Sequence, residues 1–307
     1  MLNHFLALII SLLLMAGCRS SDKRKAELPD TPEKGTITIS ADLSFKPVID
    51  EQVMVYESNN PGTKINVQYK PEAECIKDLW NDSIRMIIST FSLSNAEKKG
   101  IADSLNVTVS QLAIARDAIA VIVNPASPDS LFDMNDIRKI LGGTYERALT
   151  PVFEGVKATS TVRYIIDSVM KGKPLSNKVI AAQTSDSVIN YVARNPGAIG
   201  FVGVSWIGNP DDKEQLSFLK KVKIARLKSN DNAEKYILPV QANLYDNRYP
   251  MTRDLVYILK ERYRGLGWGF SYFLAEEIGQ LIFKRSYLMP GRRLFIMRPA
   301  AVKDEPI

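Results

Sequence analysis

A chain of 307 residues with 45% apolar and 24% charged side chains can fill the cores of two ordinary domains, which excludes a disordered polymer. Its net charge of +6 favours anionic partners: a small oxyanion, an anionic lipid surface or nucleic acid. The single histidine is His4, inside an apolar leader, so a mature chain that has lost the leader lacks Ser-His-Asp and Cys-His nucleophiles and most zinc sites.

That leader is the first element. Phe5 to Ala16 is too short to cross a hydrocarbon core, which needs about 20 helical residues, but it suits the apolar part of a secretory signal. Ala16-Gly17 is small enough for a peptidase to approach, and Cys18 offers a thiol for acylation. The pattern resembles a bacterial lipoprotein signal, with Met15 where Leu is usual and no Lys or Arg before Phe5. An ordinary cleaved signal with a chance cysteine is the alternative. On this reading residues 1–17 are a signal peptide, Cys18 is the lipidation site, and residues 18–34, with Lys23-Arg24-Lys25, Pro29 and Pro32, are a polar tether. Cys75 is then the one free thiol, read as a small buried apolar residue rather than a nucleophile. Secretion and the lack of an aromatic-interleaved basic run exclude nucleic acid.

Past Gly35 the pattern alternates strand and helix. Thr36 to Ser40 predicts a strand, Ser44-Phe45-Lys46-Pro47 a helix start, and Ile49, Val53 and Tyr56 a helix face that Asn59-Asn60-Pro61-Gly62 ends. A strand at Lys64–Tyr69, a helix with Ile76, Leu79 and Trp80, and a buried strand at Met86–Ser89 follow. The β-α-β-α-β order predicts parallel pairing and an α/β layer structure. Ala118–Val123 is apolar enough to be buried on both faces. Asp129–Leu141 predicts a helix, Pro151–Phe153 a strand, and Thr159-Ser160-Thr161 the start of a helix with Val162, Ile165, Ile166 and Val169. Lys178–Ala182 predicts a strand, Ser185–Arg194 a helix, and Leu255–Leu259 a strand. Trp268–Phe283 predicts one amphipathic helix and Leu294–Met297 a last strand.

The strand, Ser-Phe loop and helix, the later Ser/Thr helix start, and Pro196-Gly197-Ala198-Ile199-Gly200-Phe201 together resemble the phosphate-binding lipoproteins of phosphate ABC transporters. Asp136 to Gly142, Tyr249-Pro250-Met251-Thr252 and Gly279-Gln280 add to the resemblance, which spans Gly35 to Pro299. It implies an α/β, two-lobed type 2 periplasmic-binding fold with mixed, largely parallel sheets and a ligand cleft between the lobes. Residues 35–121 would be the first part of lobe 1, 122–244 lobe 2, and 245–307 the return to lobe 1 and a C-terminal tail. It also implies no catalysis and no cofactor or metal. The implied partners are inorganic phosphate or a related oxyanion and the permease subunits of an ABC transporter, with the binding protein a monomer in the cell envelope, facing the periplasm or exterior.

The implied ligand set is Ser44, Phe45, Thr90, Lys157, Thr159, Ser160 and Thr161. Helix starts offer free N–H groups and hydroxyls to an oxyanion, though the same residues also serve as ordinary helix caps. Three departures from the family pattern stand out. Thr90 stands where the family has Asp, Glu154-Gly155-Val156-Lys157 where it has Arg, and Lys70-Pro71-Glu72-Ala73-Glu74-Cys75 where it has a Gly-Ser-rich loop. Lys157 or Lys46 would supply the missing charge as a point, without the bidentate fork of Arg. Two other functions stay open: a ligand sensor or surface scaffold that kept the fold without transport, and a carboxylate-dependent hydrolase using Glu72, Glu74 or Glu154.

Overall fold

The computed structural model describes residues 28–155, 159–209 and 212–292. Cys18, Lys157 and the strand expected at Leu294–Met297 lie outside the described residues. The strands are β1 (Lys34–Asp42), β2 (Gly62–Lys70), β3 (Met86–Ser89), β4 (Thr108–Val123), β5 (Leu131–Phe132), β6 (Thr150–Glu154), β7 (Ile180–Ala182), β8 (Ala198–Gly203), β9 (Lys223–Ile224), β10 (Arg226–Lys228), β11 (Tyr236–Ile237), β12 (Thr252–Glu261) and β13 (Met289–Pro290). The helices are α1 (Lys46–Asn59), α2 (Glu72–Lys77), α3 (Asn95–Leu105), α4 (Met134–Gly142), α5 (Ser160–Tyr164), α6 (Ser185–Arg194), α7 (Lys213–Leu219), α8 (Gln241–Tyr245), α9 (Leu266–Ala275) and α10 (Glu277–Arg285).

Strand order along the main sheet is β2-β1-β3-β12-β4-β8-β6-β7, with β9 and β13 also paired to β4. Parallel pairing holds for β1 with β2 and β3, and for β6 with β7 and β8. Two lobes share this sheet because β4 serves both. Its first part runs antiparallel to β12, with Asp117 opposite Arg253, and from Ile119 onward it pairs with β8 instead.

Alternation along these strands builds a core on each face of each half. In β12, Leu255, Tyr257 and Leu259 join Met86 and Ile88 under α1, α9 and α10, while Val256 and Ile258 join Ile87 and Cys75 on the other side. In β4, Ile119, Val121 and Val123 face one core of the second lobe, and Ala120 and Ile122 face the other. Gly200 is required here. A Cβ at this position would sit 2.8 Å from Ile122 and 2.9 Å from Val188 and Val192, so only glycine lets α6 lie this close to β8.

Several elements depart from expectation. The helix predicted from Asp129 begins at Met134, because Asp133 and Asp136 form a capping box, and Leu131–Phe132 pairs with β10 instead. The single helix predicted over Trp268–Phe283 is two, broken at Glu276, whose backbone is extended. Trp80, expected on one helix with Ile76 and Leu79, stands in a short 3₁₀ turn after it and is 58% exposed. The polar stretch read as a tether to Lys34 belongs to the body by Asp30, which is buried and receives Arg85, the Tyr263 hydroxyl at 2.8 Å and the Leu266 N–H at 2.6 Å. Arg85 also reaches Glu261, so this ion network pins the chain entry to β12. Among the described residues, no helix is long and apolar enough to cross a membrane.

Candidate functional site

The carboxyl ends of parallel strands and the starts of the following helices meet where the two lobes face each other, which is where open α/β sheets bind ligands. From the first lobe, β1 ends at Asp42, whose side chain accepts the Ser44 N–H at 3.1 Å and so caps the 3₁₀ turn Leu43–Phe45. Lys46-Pro47 then starts α1, proline being tolerated in a first turn that has free N–H groups anyway. From the second lobe, β6 ends at Glu154. Gly155, at φ +71°, turns the chain back, and the Thr159 hydroxyl accepts the Val162 N–H at 3.3 Å to cap α5.

Arg253 stands at the centre, its side chain 3% exposed. Its cross-strand neighbour Asp117 accepts from Nε at 2.9 Å and lies 2.8 Å from Nη2. Nη1 donates to the Ser160 hydroxyl at 2.8 Å and the Thr161 hydroxyl at 3.0 Å. The guanidinium carbon is 4.8 Å from the centre of the Phe45 ring, a cation–π contact across the cleft. Phe45, Ser160 and Thr161 thus gather around a cation that comes from neither helix start, with Ser44 and Thr159 beside them in the two helix starts.

Polar atoms in this cluster are left over. The hydroxyls of Ser44 and Ser205, Oδ2 of Asp42 and Oε1 of Glu154 are buried without a well-formed hydrogen bond, and Nη2 of Arg253 has no well-aligned acceptor. Buried polar groups are almost always paired, so such a concentration marks a place built for something else. Oε2 of Glu154 accepts from the Ser185 hydroxyl at 2.7 Å. Burial pushes the Glu154 carboxyl up to about 7, with Asp42 adding and Ser185 and Arg253 opposing. Burial also raises Asp42, against the pull of Arg253 and the neighbouring Ser160 hydroxyl.

A second group closes the mouth. Arg163 of α5 donates from Nε to Oε2 of Glu72 at 2.5 Å and from Nη2 to the Thr90 hydroxyl at 2.8 Å. The Thr90 N–H and hydroxyl both donate to Oε1 of Glu72 at 2.8 Å. The Thr90 hydroxyl and the Glu72 carboxylate therefore spend their hydrogen bonds on this cross-lobe contact. Beside it, Glu72, Ala73, Ile76, Val162, Arg163, Ile166 and Asp167 line a groove of about 220 Å³. Trp206 adds a second tie between the lobes, donating to the Ser44 carbonyl oxygen at 2.7 Å.

Neither Lys46 nor Glu74 reaches the cluster. Lys46 is half exposed and paired with Asp50 at 2.5 Å, and Glu74 is paired with Lys77 at 2.6 Å on the surface. Cys75 is buried, its thiol pushed upward by burial and by Asp42 and Asp78. Sequence reading missed Arg253, Asp117, Asp42, Arg163 and Ser205. One signal was available: Asp117 and Arg253 are opposite charges, each close before an apolar strand run, where an unpaired charge would be costly. Among the described residues there is no group of His, Cys, Asp and Glu suited to holding a metal ion.

A family profile described as "PBP superfamily domain" matches residues 27–277, which is most of the chain. The chain belongs to the PBP superfamily. PBP-superfamily relatives include the phosphate-binding protein PstS of Bacillus subtilis strain 168, 22% identical over 312 residues covering 95% of each chain. The phosphate-binding protein PstS of Borreliella burgdorferi is 20% identical over 291 residues, covering 90% of this chain and 93% of the relative. A solved structure from Clostridium perfringens, described as a phosphate ABC transporter substrate-binding protein with bound phosphate, superimposes with a TM-score of 0.67 at 18% identity. It covers 83% of this chain and 99% of its own. This structural neighbour shares with this PBP-superfamily chain the two-lobed α/β fold.

Proposed function

We propose that this chain is a lipid-anchored, extracytoplasmic solute-binding protein that captures inorganic phosphate or a related tetrahedral oxyanion in the interlobe site and delivers it to an ABC permease. One observation carries the reading: a buried arginine, fixed by Asp117, aims at the hydroxyls of Ser160 and Thr161 beside unpaired hydroxyls of Ser44 and Ser205. Such donors in a dry cleft suit an oxyanion. The curated relatives named for phosphate binding support the choice. Capture works by closure of one lobe on the other as a monomer, without covalent chemistry or cofactor. Thr159, Ser160 and Thr161 with Ser44 and Phe45 form the contact set, Lys157 adds charge, and Thr90 acts through the mouth contact with Arg163 rather than by touching the ligand.

Calorimetry of the purified protein with phosphate, sulfate and molybdate tests the ligand. Ser160→Ala removes one hydroxyl from a charged ligand and is expected to cost about 1.5–3 kcal/mol, roughly one to two decades of affinity. Unchanged affinity for the best oxyanion refutes the assigned site. Cys18→Ser tests the anchor: the protein leaves the membrane fraction, whereas unchanged partition with no acyl mass on the mature N-terminus refutes lipidation. A sensor or scaffold role replaces the transport role if none of the three anions binds below millimolar.

A further inference from the structure

Trp268 and Tyr272 stand one turn apart on the outer side of α9, and Arg264 precedes its first turn at the same spacing. The two rings stack with centres 5.6 Å apart and 17° between their planes, and the Arg264 guanidinium carbon lies 5.2 Å from the centre of the Trp268 ring. Tyr272 is 56% exposed, Arg264 is exposed and Trp268 is half-buried. Among the described residues no carboxylate pairs with Arg264, while Glu261 and Glu276, the acids flanking α9, are paired with Arg85 and Arg292. A row of ring bodies with polar tips and a cation at its end is the chemistry of a water–lipid boundary, where Trp and Tyr sit at headgroup depth and Arg meets phosphate. The interlobe site calls on none of these three side chains.

The chain enters its folded body at the same place. Asp30 accepts the Leu266 N–H at 2.6 Å and the Tyr263 hydroxyl at 2.8 Å, and Pro32 lies over Gly269, where a Cβ would come within 2.8 Å of it. Leu28, 51% exposed, is ten residues past Cys18, a reach of at most about 35 Å, so a lipid on Cys18 keeps this end of lobe 1 near the surface that holds it. We propose that Arg264, Trp268 and Tyr272 form a seat by which lobe 1 rests on an anionic phospholipid surface. The proposal rests on the lipid-anchored reading above. Lys23-Arg24-Lys25 adds charge of the same sign close to the acylated residue, and contacts of this kind strengthen what acyl chains hold. The seat is remote from the ligand: β12 leaves the cleft at Arg253 and runs on to Glu261, roughly 25 Å of strand, before the stack begins. With lobe 1 seated, the mouth between the lobes stays open to solvent.

The test uses the mature chain with Cys18→Ser, which carries no acyl group, and vesicles of phosphatidylcholine with or without phosphatidylglycerol, in excess lipid. Partition into the anionic vesicles is expected to exceed that into neutral ones and to fall with salt. Replacing Arg264 by Gln and Tyr272 by Ser together is expected to weaken it on the order of tenfold, since each cation near such a surface is worth roughly fivefold and the ring adds its own share. Both side chains are exposed, and thermal melts and unchanged oxyanion affinity check that the double variant is folded. Brominated lipid should quench the fluorescence of Trp268, and Trp268→Phe should abolish that quenching. Neutralising Lys23, Arg24 and Lys25 to Gln should leave the quenching in place, because it comes from the stack. Equal partition of parent and double variant, equal partition into neutral and anionic vesicles, or quenching unaffected by Trp268→Phe overturns the proposal. So does a dimer in light scattering that the double variant abolishes without vesicle binding, which would give the stack to a second copy of the chain. These outcomes leave acylation standing, because the acylated protein is judged separately by its membrane fraction and acyl mass. The seat alone holds too weakly to keep an unacylated chain on washed membranes, so the expected loss of Cys18→Ser from that fraction is unchanged.

Discussion

Arg163→Gln separates the mouth contact from the ligand site. Arg163 is 37% exposed on its side chain, whereas its partner Glu72 is 1% exposed. The substitution removes a charge-assisted bond at 2.5 Å and a bond to Thr90 at 2.8 Å. Losing a hydrogen bond to a charged group costs about 1.5–3 kcal/mol, and breaking a buried ion pair costs about 3–5 kcal/mol. Here the cost lies at the lower end, because the arginine is partly solvated and Glu72 keeps two bonds from Thr90. About 2 kcal/mol against the closed form shifts the ratio of closed to open molecules roughly thirtyfold. Small-angle X-ray scattering of the ligand-free protein should show a larger radius of gyration in the variant, and stopped-flow measurement a faster ligand release with entry unchanged or faster. Melting temperature reports whether the cost falls on the fold instead. Identical scattering and identical release rate in the variant would show that Arg163 does not hold the lobes together.

Gly200→Ala forces a methyl against Ile122, Val188 and Val192 and is expected to destabilise the fold by about 1–3 kcal/mol, seen as a lower denaturant midpoint. Cys75→Ala should leave ligand affinity within roughly threefold and cost stability through the lost packing alone; any thiol-dependent turnover contradicts it. For Glu154, the displacement from 4.5 to about 7 means that the native state holds the proton more tightly than the unfolded chain. Its contribution is fully present below 4.5 and is lost as pH rises toward about 7. Glu154→Gln should therefore gain stability relative to the parent at alkaline pH compared with acid pH, read from melting temperatures, and an equal difference at both ends contradicts the assignment.

The strands and helices nearest the site were legible because their physics is local. Met86–Ser89 and Ser185–Arg194 were read with the bounds the structure gives, the first from an apolar run and the second from a capped helix with a clear apolar stripe. Ser44-Phe45 and Thr159-Ser160-Thr161 were legible as helix starts for the same reason. Arg253 was not, because what makes it central is the register that sets it opposite Asp117, a pairing across more than a hundred residues of sequence. Thr90 shows the complementary failure. Its position in the family pattern pointed to the ligand, but Glu72 in the rewritten second loop and Arg163 on α5 claim its hydrogen bonds. The break at Glu276 was hidden as well, since the apolar pattern continues through both helices.

The sharing of β4 between the lobes sets a limit on how this protein can be retuned. Arg253 and Asp117 face each other at the point where β4 leaves β12 for β8, so the cation at the centre of the site is also seated in the hinge. A change that alters its grip also alters the flexure of the joint. Tight holding and quick unloading therefore cannot be selected independently through this residue, and an engineer seeking one without the other would have to work from the rim.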